Sequence, residues 1–334
     1  MNFKKTLLGL LLILNFSINA TEYKQLVSDA EVTKNIKAFA KQLAEEHQFK
    51  QQDVIQILSN LKHDKSIIQK MTRPAESVMP WFKYRNIWMK DKRINQGVDF
   101  WERHNETLKK AEEKYGVDPA IIVAIIGVET YYGKIQGTYP VLEALHTLGF
   151  YYPKRATFFR NELAEYFQLA RSQEWQLDQI KGSYAGAMGM GQFISSSYRY
   201  YAVDFNQDGK INLFSDPVDM IGSVANYFKR HHWRKGGFVA QPIELNKAQH
   251  KLIQSDLKPS KTLAQMQAAK VDVSNLKQKS DSAAIYAFEQ ADGQFEHWLA
   301  GDNFYTITRY NHSSMYAMAV FQLSEAIKNK MSEK

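Results

Sequence analysis

Apolar positions along the chain recur mostly every three to four residues, which predicts a mainly helical protein. Between Val27 and Leu61, two amphipathic stripes follow one another, and each would bury one helix face against a core. Pro74 and Pro80 interrupt the pattern before an aromatic segment at residues 81–88. Further helices are predicted at about 96–115, 158–170, 224–231 and 314–329.

The pattern changes after Gly236 and Gly237. Residues 285–291 and 294–300 flank Asp292-Gly293, a dipeptide typical of a two-residue hairpin turn. Residues 303–308 are predicted to add a strand. The fold class predicted from the whole pattern is α+β, mainly α, with a small β-containing unit inserted in a helical protein.

One predicted helix is apolar on every side. Asp118 is a favourable N-cap, Pro119 suits the first helical position, and Gly133 can end the helix. Because residues 120–128 are all apolar, this helix is expected to be buried around nearly its whole circumference.

Glu129 stands at the end of this helix, with Ile125 and Ile126 one turn back on its own face. Aliphatic neighbours solvate a carboxylate poorly and raise its pKa, so the group can hold a proton near neutral pH and act as a general acid. The alternative is an ordinary glutamate at a helix end that is capped or paired with Lys or Arg.

The N-terminal residues 1–20 predict a secretory signal peptide. A basic start with Lys4 and Lys5 precedes a short apolar stretch, and Ala20 suits cleavage after it. The alternative is an uncleaved anchor, although this stretch is short for a membrane span and no later segment is long enough. The predicted location is therefore the periplasm, with no transmembrane segment in the mature protein.

The sequence contains no cysteine, which excludes disulfides, thiolate metal ligands, a cysteine nucleophile and a lipid-carrying cysteine. The formal net charge is +8, and loss of Lys4 and Lys5 with the signal peptide leaves +6. An exported basic protein without disulfides fits a bacterial envelope and would favour anionic polymers such as cell-wall material or nucleic acid. The excess positive charge is spread along the chain, so it does not indicate which of these polymers the protein binds.

A second segment matches the start of the EF-hand calcium loop. Asp204, Asn206 and Asp208 place oxygen ligands at alternating positions, Gly209 permits the sharp turn, and Lys210 offers its backbone carbonyl. Alternation of this kind lets one tight loop surround a hard cation with oxygens.

The loop departs from the EF-hand pattern at its last position, where Ser215 replaces the expected bidentate Glu. Asp219, at the start of the next helix, is predicted to close the site, and Asp216 is the reserve ligand. The predicted cofactor is a structural Ca²⁺, and no organic cofactor is expected. The alternative is an Asx-rich turn without a metal.

Residues 181–193 (KGSYAGAMGMGQF) are rich in small side chains, which let a ligand approach the backbone closely. Gln192 can hydrogen-bond an amide or hydroxyl, while Tyr184, Met188 and Phe193 offer apolar faces to a sugar ring or acetyl methyl. The alternative is a stretch that serves only close helix packing.

Other catalytic motifs are absent from the sequence, including HExxH, Gly-x-Ser-x-Gly and zinc-finger spacings. A two-carboxylate glycosidase would need a partner for Glu129. The nearest candidates are Glu143, Glu162 and Glu165, and each is predicted to be a surface charge on a helix.

Several motifs occur together in one order: GVETYYG at 127–133, residues 182–193 with SSSY at 195–198, the calcium loop, SVANY at 223–227 and ITRYN at 307–311. Together they resemble the lytic murein transglycosylases of the membrane-bound transglycosylase B type, over about residues 23–327. The absence of a lipoprotein cysteine distinguishes this chain from the membrane-bound members.

The resemblance implies a lysozyme-like catalytic core at 116–236, a helical domain at 21–115, a small β-containing domain at 237–302 and a return to the core at 303–334. It implies peptidoglycan glycan strands as the partner, and Glu129 as the catalytic residue. Other cell-wall enzymes are possible partners, and nucleic acid is not expected. The implied substrate contacts are Lys154, Arg155, Ser183, Met188, Gln192, Phe193, Tyr227, Tyr310, Asn311 and Tyr316.

The implied reaction cleaves the MurNAc–GlcNAc β-1,4 bond without water and leaves a 1,6-anhydro-MurNAc end. A single acid suffices, because the MurNAc acetamido oxygen can stabilise the cation at C1 and the C6 hydroxyl can close on C1. Two alternatives remain: a non-catalytic, calcium-stabilised scaffold that binds peptidoglycan, and a hydrolytic muramidase that leaves a reducing end.

Overall fold

The computed structural model describes residues 27–72, 79–273, 276 and 280–334, so the predicted signal peptide lies outside the described residues. The α-helices are α1 Asp29–His47, α2 Gln51–Ser59, α3 Lys65–Thr72, α4 Trp81–Trp88, α5 Asp91–Arg103, α6 Asn105–Tyr115, α7 Pro119–Thr130, α8 Val141–Tyr151, α9 Ala156–Ser172, α10 Ser195–Tyr201, α11 Pro217–Arg230, α12 Leu263–Ala268, α13 Asp302–Tyr310 and α14 Ser314–Ser332. The strands are β1 Tyr139–Pro140, β2 Lys181–Gly182, β3 Ala240–Ile243, β4 Lys261–Thr262, β5 Ser282–Glu289 and β6 Phe295–Ala300. The predicted fold class, α+β and mainly α, is confirmed.

Two local predictions are wrong. The single helix predicted at about 96–115 is two helices, α5 and α6, which meet at His104, where the backbone leaves the helical region at φ −117° and ψ 19°. The strand predicted at 303–308 is helix α13. The buried residues Phe304 and Ile307 are three positions apart on α13, which places them on one helix face packed into the core.

A single large hydrophobic core runs through the helical part of the molecule, from Val32 on α1 to Ile327 on α14. Helix α7 lies at its centre and is buried at every position, as its apolar sequence predicts. Helices α5, α6, α11 and α14 pack around α7. The residue at the end of α7 is therefore held by a helix that has almost no room to move.

The inserted β-containing unit has its own small core. Strands β3, β6, β5 and β4 form an antiparallel sheet in that order. One set of its buried side chains forms a cluster separate from the main core: Phe238, Leu252, Met266, Val271, Ala283, Ile285 and Leu299. Another set from β3, β5 and β6 belongs to the main core and joins the sheet to the helices: Ala240, Ala284, Tyr286, Phe288 and Ala300.

The predicted hairpin is the β5–β6 pair, but its turn is longer than the two residues expected. Gln290 and Gln294 close a three-residue loop, since the amide of Gln290 donates to the carbonyl of Gln294 at 2.8 Å. Gly293 takes φ +78° in this loop, a conformation that glycine adopts without strain.

A short antiparallel ribbon, β1 with β2, lies beside the main core and pairs Tyr139 with Gly182. A Cβ atom on Gly137 would lie 2.1 Å from the carbonyl oxygen of Gly182, so the two chain segments can approach only because Gly137 has no side chain. Within the described ranges, no helix combines the length and apolar character that a membrane span requires.

Candidate active site

Glu129 is the last but one residue of α7 and is 8% exposed. Its Oε1 accepts a hydrogen bond of 2.5 Å from the hydroxyl of Tyr316, a fully buried residue in the first turn of α14. Helices α7 and α14 run antiparallel, because Lys328 near the end of α14 donates to Asp118 at the start of α7 at 2.9 Å. The packing of these two helices thus brings together two side chains that are 187 residues apart in sequence.

The end of α7 is an unusual reversal of the chain. The helix ends at Thr130, and Tyr131 takes the left-handed conformation at φ 54°, earlier than the Gly133 expected from the sequence. Tyr132 also has a positive φ of 60°, so two consecutive non-glycine residues adopt a disfavoured conformation directly after the glutamate. Backbone conformations of this kind persist only where surrounding contacts impose them.

Arg93 on α5 supplies several of these contacts, and sequence analysis did not single it out. Its guanidinium donates to the carbonyl of Gly127, on the last turn of α7, and lies 4.6 Å from the ring centroid of Tyr131. The hydroxyl of Tyr132 donates back to the carbonyl of Arg93 at 2.9 Å. Burial lowers the pKa of Arg93 from its ordinary value, yet the group is still a cation at any working pH.

The glycine-rich segment passes close to the end of α7. The hydroxyl of Thr130 donates to the carbonyl of Met190 at 2.6 Å, which ties the segment to the residue next to Glu129. The hydroxyl of Tyr310 donates to the carbonyl of Gly191 at 2.7 Å. A Cβ on Gly191 would lie 2.5 Å from the sulfur of Met220, so a side chain here would displace the end of that methionine.

An aromatic cluster stands beside the glutamate. The ring centroids of Tyr227 and Tyr310 are 4.8 Å apart, and each ring lies 5.9 Å from that of Phe193. Burial, followed by the nearby Glu129 carboxylate, raises the pKa of both Tyr310 and Tyr316 well above the ordinary tyrosine value. These phenols therefore remain protonated, and they act as hydrogen-bond donors and not as bases.

The other predicted substrate residues differ in exposure. Lys154 is exposed and Arg155 is partly buried, with its guanidinium 4.3 Å from the ring centroid of Phe158. Gln192 is partly buried and donates through Nε2 to the carbonyls of Gln136 at 3.1 Å and Gly189 at 3.0 Å.

Three predicted residues are buried more deeply. Ser183 accepts hydrogen bonds from the amides of Ala185 and Ala187, and Asn311 is 6% exposed. Met188 is fully buried, and its backbone pairs with that of Phe193. The substrate contacts assigned to these residues stay a prediction.

The three carboxylates considered as partners for Glu129 have different environments. Glu143 is exposed, as expected, and Glu165 forms an ion pair with Arg199. The surface position predicted for Glu162 is wrong, because this residue is 5% exposed. Its carboxylate accepts from the amide and hydroxyl of Ser196 at 3.0 and 2.8 Å and so caps the start of α10; burial raises its pKa.

The predicted calcium loop folds around its own acidic side chains. The carboxylate of Asp204 accepts from the amides of Asp208 and Gly209, and Gly209 takes φ +89° with open space around its Cβ position. Asp219 is fully buried and accepts at 2.8 Å from the amides of Phe205 and Asn212, while Asp216 caps α11.

The donor set of this loop consists of carboxylate, amide and backbone oxygens, which suits a hard cation such as Ca²⁺. Among the described residues, however, no group of three or more His, Cys, Asp or Glu side chains is gathered as a metal centre. The calcium ligands Asp204, Asn206, Asp208, Lys210 and Asp219 therefore stay a prediction.

Comparison with known proteins places this architecture in a family. Residues 31–325 match the family model described as the transglycosylase SLT domain. The chain is 40% identical over 312 residues to the membrane-bound lytic murein transglycosylase B of Escherichia coli strain K12, covering 91% of this chain and 85% of the relative.

Two solved structures add ligands to the comparison. The Escherichia coli lytic transglycosylase Slt35 in complex with calcium is 38% identical, with a TM-score of 0.80 and coverage of 94% of this chain and 98% of that one. SltB3 from Pseudomonas aeruginosa in complex with NAG-NAM-pentapeptide is 27% identical, with a TM-score of 0.75 and coverage of 89% and 79%. These matches support the lysozyme-like fold expected from the sequence.

Proposed function

The chain belongs to the transglycosylase SLT domain family and is a lytic transglycosylase, and from this premise we propose that Glu129 is its single catalytic acid and base. The observation that carries the proposal is a nearly buried carboxyl group at the end of a fixed helix, within 2.5 Å of the tyrosine hydroxyl that orients it. Burial favours the neutral acid, which is the form that can donate a proton.

The reaction proceeds in two proton transfers. The carboxyl group of Glu129 donates its proton to the oxygen of the MurNAc–GlcNAc β-1,4 bond. The bond between this oxygen and C1 of MurNAc breaks, and GlcNAc leaves with the oxygen as its hydroxyl group. The acetamido oxygen of MurNAc stabilises the positive charge that forms at C1. The Glu129 carboxylate then accepts the proton of the C6 hydroxyl, whose oxygen bonds to C1 and forms 1,6-anhydro-MurNAc.

No second carboxylate is required in this scheme, and the surroundings of the nearest ones agree with that. Glu162 is held by Ser196, Glu165 pairs with Arg199, and Glu143 faces solvent. The apolar helix behind Glu129, the buried ring of Tyr316 and the partly buried ring of Tyr310 support exclusion of water from the reacting bond.

The residues around this acid form the proposed groove for the glycan strand. Tyr316 orients the carboxyl group, and the partly buried Gln192 is proposed to contact the strand. The other residues proposed to contact the substrate are Lys154, Arg155, Ser183, Met188, Phe193, Tyr227, Tyr310 and Asn311. The domain division at 21–115, 116–236, 237–302 and 303–334 belongs to the same proposal, and the second cluster of buried side chains, within the β unit, supports its third part.

Calcium, export and location are part of the proposal as well. The oxygen-rich loop at Asp204 to Asp219 and the calcium complex of Slt35 support a structural Ca²⁺, which would neutralise the carboxylates and fix the loop before α11.

Because relatives act on murein, this protein works on the side of the membrane that faces the cell wall, and we propose a periplasmic enzyme released by cleavage after Ala20.

The test is replacement of Glu129 by Gln, followed by mass spectrometry of the products released from purified sacculi. We expect no anhydro-muropeptides from the variant and an unchanged unfolding temperature. Glu143→Gln, which changes an exposed carboxylate on α8, is the matched control and should keep full activity. Release of anhydro products by the Glu129 variant would contradict the proposal, and reducing ends from the wild type would identify a hydrolase.

A further inference from the structure

A pocket lies where α3 meets the β1–β2 ribbon, and the mechanism above does not use it. Its lining comprises Lys70, Ile135, Gly137, Thr138, Tyr139, Ser183, Tyr184 and Gln192. Since Ser183 and Gln192 also belong to the proposed glycan groove, the pocket is a side branch of that groove. A ligand attached to the glycan strand can therefore enter it.

Lys70 gives this pocket its charge. Of the described lining residues, it alone carries a formal charge, and among the described residues no carboxylate forms an ion pair with it. Its ammonium group donates to the hydroxyl of Tyr139 and lies 4.6 Å from the ring centroid of Tyr139 and 5.9 Å from that of Tyr184. A cation that lines a concave site and has no carboxylate partner within the described part of the chain favours an anionic ligand.

The walls around this cation are firmly built. Tyr139 belongs to β1, and its ring packs edge-on against Tyr184 with centroids 6.4 Å apart. Gly137 and Gly182 bring the backbones of the two segments into direct contact. Lys70 is exposed, and its ammonium group lies beside the two tyrosine rings that line the pocket, which attract a cation.

We propose that this pocket binds a carboxylate of the stem peptide carried by MurNAc, with Lys70 as the residue that recognises it. This inference rests on the proposed function. The related SltB3 binds a NAG-NAM-pentapeptide, which shows that a relative accepts glycan and peptide together. A sugar ring can pack on the tyrosine faces without a charged partner, whereas a peptide carboxylate needs a cation. An ammonium–carboxylate hydrogen bond is stronger than a hydrogen bond between neutral groups.

The experiment compares two substrates that differ at their peptide carboxylates, which are charged in one and neutral in the other. One is peptide-bearing glycan strands, and the other is the same strands with the peptide carboxylates converted to methylamides. The measured quantity is the ratio of kcat/KM on the intact strands to kcat/KM on the amidated strands. We expect the wild type to prefer intact strands by about tenfold, as one charge-assisted hydrogen bond implies.

Three variants test whether Lys70 causes the preference for intact strands. Lys70→Met is expected to bring the ratio close to one, and Lys70→Arg to retain most of it. Lys37→Met removes an exposed lysine from α1 and serves as the matched control, with the wild-type ratio. Thermal unfolding of each variant shows that the fold is kept.

Two results would overturn the proposal. One is a wild-type preference below about twofold, which needs no variant to interpret. The other is a Lys70→Met enzyme that keeps the wild-type ratio or loses activity equally on both substrates, as a general glycan contact would. A wild type that cleaves neither substrate would instead contradict the proposed function, so the two failures are distinguishable.

Discussion

The hydroxyl of Tyr316 donates a 2.5 Å hydrogen bond to Oε1 of Glu129 and joins the start of α14 to the end of α7. Two opposing effects meet at this carboxyl group. Burial at 8% exposure favours its neutral form, while the tyrosine hydrogen bond favours the anion. Because burial raises the pKa of Tyr316 well above its ordinary value, this phenol donates throughout the working pH range.

Replacement of Tyr316 by Phe should therefore raise the pKa of Glu129. The proton donor is active while protonated, so the alkaline limb of the kcat/KM profile should move to higher pH. The variant should also lose about tenfold in kcat, since the carboxyl group is no longer oriented. The measurement is a pH–rate profile on purified sacculi.

A structural role alone would lower the activity of the Tyr316 variant without moving that limb. Tyr200→Phe is the matched control, because Tyr200 is 61% exposed and, in the part of the chain that the structure describes, its hydroxyl bonds only to Glu165, at 3.3 Å. Its profile should coincide with that of the wild type. An alkaline limb at the same pH in both variants would mean that the Tyr316 hydrogen bond does not set the acidity of Glu129.

Arg93 should hold the end of α7 in place. Replacement by Ala removes the hydrogen bond to Gly127 and the cation–π contact with Tyr131, and we expect the free energy of unfolding to fall by about 2 kcal/mol. Catalytic turnover should fall further than substrate binding, because the chain reversal after Glu129 loosens. Urea unfolding and separate values of kcat and KM measure the two effects.

The control for this prediction lies on the same helix. Arg103 is exposed on α5, and its one side-chain hydrogen bond within the described ranges goes to the carbonyl of Asp99, so Arg103→Ala should change stability by less than about 0.5 kcal/mol. Equal losses in the two variants would indicate a general effect on α5 and would contradict a special role for Arg93.

What could be predicted from the sequence was local. Helix α7 was correctly placed because Asp118 and Pro119 mark its start. Its apolar run is also visible in the sequence without knowledge of the elements that pack against it. Its end was placed wrongly because Tyr131 adopts a left-handed conformation that is supported by contacts with Arg93, on another helix, and by hydrogen bonds that cap α7. Tyrosine has no intrinsic preference for this conformation.

The other errors have the same origin. Glu162 is buried because it caps α10 through Ser196, which lies 34 residues later, a partner that no pattern near residue 162 reveals. Residues 306–308 are Thr-Ile-Thr, which favour a strand by propensity, yet packing of Phe304 and Ile307 into the core makes the segment helical. Tertiary contacts outweighed local preference in both cases.

Calcium should stabilise the folded protein through the loop at Asp204. At a concentration one hundred times its Kd, a ligand that binds only the folded state adds about 2.7 kcal/mol, which corresponds to an increase of several degrees in Tm. We expect EDTA to remove this increase and Mg²⁺ not to restore it, because Mg²⁺ sheds its water reluctantly. Differential scanning calorimetry measures the shift.

Two variants connect this shift to the loop. Asp204→Asn should abolish the calcium-dependent increase in Tm, while Asp53→Asn, an exposed acidic residue on α2, should keep it. If calcium raises the Tm of both variants equally, the ion binds elsewhere and the proposed ligand set is incorrect.

His146 on α8 should make the folded protein less stable in acid. The side chain is fully buried, neither ring nitrogen has a hydrogen-bond partner among the described residues, and burial, with a smaller effect of His63, lowers its pKa to about 4. In the unfolded chain a histidine has a pKa near 6.5, so below that pH the unfolded state binds a proton that the folded state rejects until about pH 4.

The free energy of unfolding should therefore fall through His146 alone by about 2 kcal/mol between pH 7 and pH 5. His146→Leu removes the titrating group and should weaken the pH dependence of urea unfolding by that amount. His232→Asn, at an exposed position where φ is +69° and Asn is tolerated, should leave the pH dependence unchanged. If the leucine variant loses stability with acid as steeply as the wild type, the buried imidazole is not a source of acid sensitivity.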